Sequence, residues 1–261
     1  MIVRKEPDGA MILIAQTDHS RLVGAFAAHW GNETFATPRP YEAVARAAAF
    51  HDYGWLRYET APLYDPATGG TPEFRHAPTT DMQIEAYQWC IDDLMAADPY
   101  ASLIVSMHRT GLWRGRYGAI AHPAYAVARG LSFAIEEFIA RNEARQEHGR
   151  AAFDADEVWT NYRLLQVWDL LGLYFSCQDP YEDYVEPVPT RFGGDRTEGA
   201  RMAMFPVSTR AVRFDPYPFD RRPLRVQLPR RRLSPGHFAD QAAFRRAYFE
   251  APLELIEFEL V

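Results

Sequence analysis

Residues 47–55 read Ala47-Ala48-Ala49-Phe50-His51-Asp52-Tyr53-Gly54-Trp55, and the reading of the whole chain turns on them. The small residues suit a helix packed closely on its neighbours, and Gly54 is the natural stop for it. Adjacent residues on a helix point about 100° apart. His51 and Asp52 therefore cannot lie side by side on a flat surface, but they can straddle a small object set against the helix. A metal ion fits that description, since imidazole with carboxylate is a common ligand mixture for Zn, Fe, Mn and Ni. The competing reading is a buried His–Asp hydrogen-bonded pair, so the rest of the chain has to supply further ligands.

Working outward from this stretch, the spacing predicts helices before and after it. Pro7-Asp8-Gly9 has turn chemistry between apolar runs, so residues 1–15 read as a hairpin. Leu22, Val23, Phe26, Ala27 and Trp30 follow helical spacing after Asp18-His19-Ser20. The second helix is Tyr41–His51. Further helices are expected at Thr80–Ala97, Tyr100–Met107, Leu131–Glu147 and Asp154–Gly172. Residues 53–79 hold too many turn formers for regular structure, and a loop this long is usually functional. After Cys177 prolines become dense, and short β-like runs appear at Ala203–Val207, Ala211–Phe214, Leu224–Leu228 and Leu253–Leu260. The expected fold is mainly α: a helical bundle over 17–178 with a small antiparallel β extension, formed by the tail 179–261 and the N-terminal hairpin, all within one domain, 1–261.

The bulk numbers narrow the function. The 261 residues are 48% hydrophobic and 24% charged with a formal net charge of −7, an ordinary globular composition that argues against a nucleic-acid partner. Two cysteines, Cys90 and Cys177, read as free thiols in a reducing compartment. No stretch has the pattern of a signal peptide or membrane span. The expectation is a cytoplasmic protein with no membrane partner.

Metal-competent side chains recur at helix-associated positions: His19, His51 with Asp52, His76, His108 and Asp169. Asp169 lies between Trp168 and Leu170, where an unpartnered carboxylate would be costly to bury. His29 reads as a packing residue, and His122, His148 and His237 as loop or surface residues. Arg109, directly after His108, is suited to meeting a phosphate or carboxylate bidentately, as is Arg75 before His76. Trp55 and Trp113 are candidates for pocket walls.

The runs Asp18-His19-Ser20-Arg21-Leu22-Val23, Ala47–Gly54 and Val167-Trp168-Asp169-Leu170-Leu171 resemble the HD-domain metal-dependent phosphohydrolase superfamily. The ligand order, His19, then His51-Asp52, His76, His108 and Asp169, is similar to that of its two-metal members, and the likeness covers about residues 17–178. The resemblance implies two divalent transition metals per chain (Fe, Mn, Ni or Zn). His19, His51 and Asp169 would hold one, His76 and His108 the other, with Asp52 bridging. It also implies metal-assisted hydrolysis of a small phosphorylated substrate, with Asp52 at the catalytic centre; Arg109, from its place beside His108, is the first choice for a catalytic contact to substrate. Two other readings share the same ligands: a di-iron oxygenase, and a non-catalytic ligand-sensing module with a retained metal. No second His stands beside His108 and no Gly-Tyr-Pro follows it, so cyclic-dinucleotide hydrolysis of the type that carries that signature is not expected.

Overall fold

The computed structural model describes residues 1–74, 80–120, 131–195, 197–234 and 238–261. Two strands open the chain, β1 (Ile2–Lys5) and β2 (Met11–Ile14), paired antiparallel as the hairpin expected from Pro7-Asp8-Gly9. Helices α1 (Gln16–Ala28), α2 (Tyr41–Phe50) and the one-turn α3 (Leu56–Glu59) follow. Then come α4 (Thr80–Ala97), α5 (Pro99–Trp113), α6 (Phe133–Arg150) and α7 (Ala155–Cys177). The tail forms β3 (Asp183–Val188), β4 (Ala200–Ser208), β5 (Ala211–Asp215), β6 (Leu224–Leu233), α8 (Gln241–Glu250) and β7 (Leu253–Leu260).

The mainly-α expectation is overturned. The strands form a seven-stranded mixed sheet in the order β1-β2-β6-β7-β5-β4-β3, curved into a half-barrel, and the fold is α/β. The tail is therefore one of two layers of the fold and not a small antiparallel extension. Strand β6 lies between the hairpin and β7, pairing Met11 with Leu233 on one side and Val226 with Phe258 on the other. Strands β5 and β7 run parallel. The physical reason lies in alternation. Leu224, Val226 and Leu228 are buried while Arg225 and Gln227 face out, the period-2 pattern of a sheet with one face covered. Pro187, Pro206 and Pro229 sit within strands, and the apolar run Leu224–Leu228 stops at Pro229 although β6 continues to Leu233.

The covered face packs on the helices. Phe258 of β7 meets Phe175 of α7 at 4.9 Å between ring centroids, and Phe219, in the connection between β5 and β6, meets Phe26 of α1 at 5.9 Å. Burying a side chain of this size is worth about 1.5–3 kcal/mol. Two helices are buried along most of their length: Tyr100 to Gly111 of α5, and Tyr162 to Gly172 of α7. Both are capped by aspartate. Asp98 accepts the backbone N–H groups of Tyr100 and Ala101, and Asp154 accepts that of Glu157. These two helices carry His108 and Asp169 into the centre of the molecule. No helix among the described residues is long and apolar enough to cross a membrane.

Candidate metal centre

Helix α2 ends just before His51, and Asp52 leads into a 3-10 turn at Tyr53–Trp55. Gly54 acts differently from the expected left-handed helix stop, because its φ is not positive. Its backbone lies against the carbonyl of Ala86 on α4, where no Cβ fits. The turn is thereby pressed onto α4. Cys90 of the same helix donates its thiol to Phe50 O at 3.1 Å.

Five of the six expected ligands converge. His19 Nε2 lies 3.0 Å from Asp169 Oδ1, and His51 Nε2 lies 3.4 Å from both Asp169 Oδ1 and Asp52 Oδ2. His108 Nε2 faces the other carboxylate oxygen, Asp169 Oδ2, at 3.7 Å. Ligand atoms of His19, His51 and Asp169 lie within 4.8 Å of one another. All five side chains are buried. His76 lies outside the described residues, as do Arg75, His122 and His237.

Each imidazole presents Nε2 inward and is held from behind at Nδ1. His51 Nδ1 donates to Ala48 O at 2.8 Å, with Ser20 Oγ 3.1 Å away. A carbonyl only accepts, so Nδ1 carries the hydrogen and Nε2 of the neutral ring presents a lone pair. His19 Nδ1 lies 3.5 Å from Ser176 Oγ. His108 Nδ1 meets the Gln166 side-chain amide at 2.6 Å. That amide's oxygen and nitrogen exchange on a half-turn. As placed, the amide nitrogen faces Nδ1 and donates to it; turned over, its Oε1 would accept from Nδ1 and leave Nε2 bare. Neither His51 Nε2 nor His108 Nε2 has a hydrogen-bond partner among the described residues.

Asp52 and Arg109 form a unit. Arg109 Nη2 donates to Asp52 Oδ1 and, at 3.0 Å, to His51 O, while its guanidinium stacks 4.1 Å from the Tyr87 ring centre. Arg109 therefore holds Asp52 in place instead of lining an open substrate face. One Asp52 oxygen is engaged and only Oδ2 turns to the histidines. Trp55 is buried, while Trp113 packs edge-on against Tyr87 and Phe138.

Charge follows this geometry. Burial alone would raise the Asp169 carboxyl, but the hydrogen bond from His19 and the neighbouring His51 and His108 imidazoles hold it well below the usual carboxylate range. Burial works against a charge on His51, yet Asp52 and Asp169 outweigh it and raise the ring's pKa. Burial takes His108 well below the usual imidazole range.

Sequence reasoning missed Ser20, Gln166 and Ser176, which orient the rings, and Gly172, which makes room for one. A Cβ on Gly172 would lie 2.6 Å from both His19 Cε1 and Val23 Cγ2. Only Ser20, beside His19, carried a local signal. The others act across helices, which no single-helix spacing reveals.

A sequence family described as protein of unknown function (DUF3891) matches residues 1–235, and the chain belongs to that family. The matched span includes all six expected ligands and strands β1 to β6, while β7 lies beyond it. No curated protein and no solved structure matches the chain.

Proposed function

We propose that this protein is a metal-dependent hydrolase. A divalent transition metal would be held by His19, His51, Asp52 Oδ2 and Asp169, with His108 beside it. One observation carries the reading: His51 Nε2 faces two carboxylate oxygens, each at 3.4 Å, while its Nδ1 is committed to Ala48 O. In the neutral ring this sets a lone pair against two carboxylates, and a cation among the three resolves the repulsion. The donor set, imidazole with carboxylate, suits Zn, Fe, Mn or Ni. Rings anchored at Nδ1 are the usual support for metal-bound histidine. A divalent cation supplies Lewis acidity toward a phosphoryl oxygen and lowers the pKa of water.

The chain's own residues orient and confine. Arg109 fixes Asp52, Gln166 sets the face that His108 presents, and Ser20 braces the start of the His51-Asp52 turn. The phosphoester class rests on the ordered ligand set, which resembles that of HD-type phosphohydrolases. A second cation would need His76 together with His108.

Metal analysis of protein purified without chelator or affinity metal tests this reading, with His51→Ala and Asp169→Asn as comparisons. The expected result is at least one metal per chain in the wild type, lost in both variants, with metal-dependent hydrolysis of p-nitrophenyl phosphate or its diester. Folded wild type that takes up none of Fe, Mn, Ni or Zn would mean that a proton, and not a metal, lies between His51 and the carboxylates. Bound iron with O₂ uptake and no ester hydrolysis would replace the hydrolase by an oxygenase.

A further inference from the structure

Helix α7 carries a second buried charge, six residues before Asp169. Arg163 is 3% exposed. Its two hydrogen bonds both leave from Nη2, to Pro187 O at 3.1 Å and Glu198 O at 2.7 Å. Its Nε is buried without a partner. Neither bond neutralises the guanidinium, and no carboxylate among the described residues forms an ion pair with it. A cation held this way is costly unless an anion joins it. Burial accordingly lowers the guanidinium's pKa, opposed only by the nearby charge of Asp195.

Arg163 lines a cavity of about 320 Å³ between α7, the start of β4 and the loop that carries Thr190, Arg191 and Gly193. Of the two acids on its wall, Asp195 keeps its charge and Glu198 is paired with another arginine. Asp195 accepts the Thr197 N–H at 2.9 Å and its hydroxyl at 2.8 Å, and Glu198 pairs with Arg191 at 3.2 Å. Gly193 and Gly194 take positive φ, 73° and 86°, and this bends the loop around the space. The result is a polar recess whose buried cation has spare hydrogen-bonding capacity.

We infer that this recess binds a small oxyanion through Arg163. A guanidinium fork matches the paired oxygens of phosphate and carboxylate alike. The recess falls at the lower end of the size range of small-molecule pockets, so there is room for the organic part of a small phosphate ester or carboxylate. This inference is independent of the metal centre.

Thermal unfolding of the full chain at fixed ionic strength tests it, with titration of inorganic phosphate, glycerol phosphate or acetate. At least one of them should raise Tm by several degrees and saturate, as a ligand of the folded state does. The one that saturates at the lowest concentration identifies the source of the oxyanion. Arg163→Gln removes the cation, and Thr190→Glu puts a carboxylate on the cavity wall as an internal substitute. Both variants should lose the response, and Thr190→Glu should begin from a higher Tm in anion-free buffer. Should Arg163→Gln fail to fold, Thr190→Glu decides alone. A flat wild-type titration with all three anions overturns the inference. So does a response that survives in Thr190→Glu, since the anion would then be binding elsewhere, the metal centre included.

Discussion

The Glu59 carboxylate, at the end of α3, accepts hydrogen bonds from both the backbone N–H and the hydroxyl of Thr17, at 3.2 and 2.9 Å, and from the backbone N–H of Gln16. Those N–H groups open the helix that carries His19, and Ala15, at the cap position, has no side chain to satisfy them. A carboxylate at a helix N-terminus also meets the positive end of its dipole. The acid lies just downstream of His51 and Asp52, so this contact fixes where α1 stands relative to their turn. Glu59→Ala should cost about 1–3 kcal/mol in urea unfolding, the usual penalty for unsatisfied buried groups. It should also weaken metal retention with every proposed ligand still present. Unchanged stability would mean that water caps α1 equally well.

Room for the His19 ring depends on one missing side chain. Gly172→Ala would drive a methyl into His19 and Val23, an overpacking that typically costs about 1–3 kcal/mol. Metal content should fall with it. Gly149→Ala on α6 makes the control, because its nearest neighbour outside the helix is Leu103 Cδ1 at 4.0 Å. That change should be neutral or stabilising by up to about 1 kcal/mol. Equal effects at the two glycines would remove the case for a shaped imidazole pocket.

In chelated protein, acid sensitivity should run through His108. Burial holds its folded pKa well below 6.5, so below that value the unfolded chain takes a proton that the folded chain refuses. Stability therefore falls as pH drops below about 6.5. Asp169 acts in the same direction at lower pH: its contribution is present above 3.8 and is lost as pH falls through its depressed folded value. His51 is raised and works oppositely, its contribution being full below 6.5 and lost as pH rises through its folded value. Comparison of wild type with His108→Gln isolates one of the three. The variant's urea midpoint should decline less between pH 7 and 5, and parallel profiles would show that His108 takes up its proton as readily in the fold as in the unfolded chain.

Burial pushes the Cys90 thiol up to about 12. Iodoacetamide at pH 8 should therefore leave Cys90 unmodified in the folded protein and label it on unfolding, as read by peptide mass. Labelling of native protein at Cys90 would reveal opening between α2 and α4, directly behind His51.

Much of the helical layer could be read from the chain. Thr80–Ala97 falls where apolar spacing put it, and α7 runs only five residues past the expected Gly172. The five candidate residues His19, His51, Asp52, His108 and Asp169 were legible as a set because metal-competent groups recur in order at helix-associated positions, and all five are buried together. Strand positions were legible in part, β7 with its bounds at Leu253–Leu260, but the extent and pairing of the sheet were not. The register shifts at Pro187 in β3 and beside Pro206 in β4, Pro229 ends the apolar run of β6, and β5 pairs parallel with β7 although β6 and α8 lie between them in the chain. Strand pairing is a long-range choice, and local alternation carries little information about partners. The engagement of Arg109 with Asp52 was equally hidden, since a basic residue beside a candidate ligand looks the same whether it faces substrate or its own chain.

The place of β6 between β2 and β7 has a consequence for biosynthesis. The hairpin leaves the ribosome well before its partner, because the strand that closes its inner edge is made more than two hundred residues later. At roughly 5–20 residues per second, Met11 to Leu13 wait about 10–45 seconds for their partner. Through that interval a short apolar edge stands open to any other nascent strand, so the protein's yield in a cell should depend on chaperone capacity more steeply than its finished stability suggests.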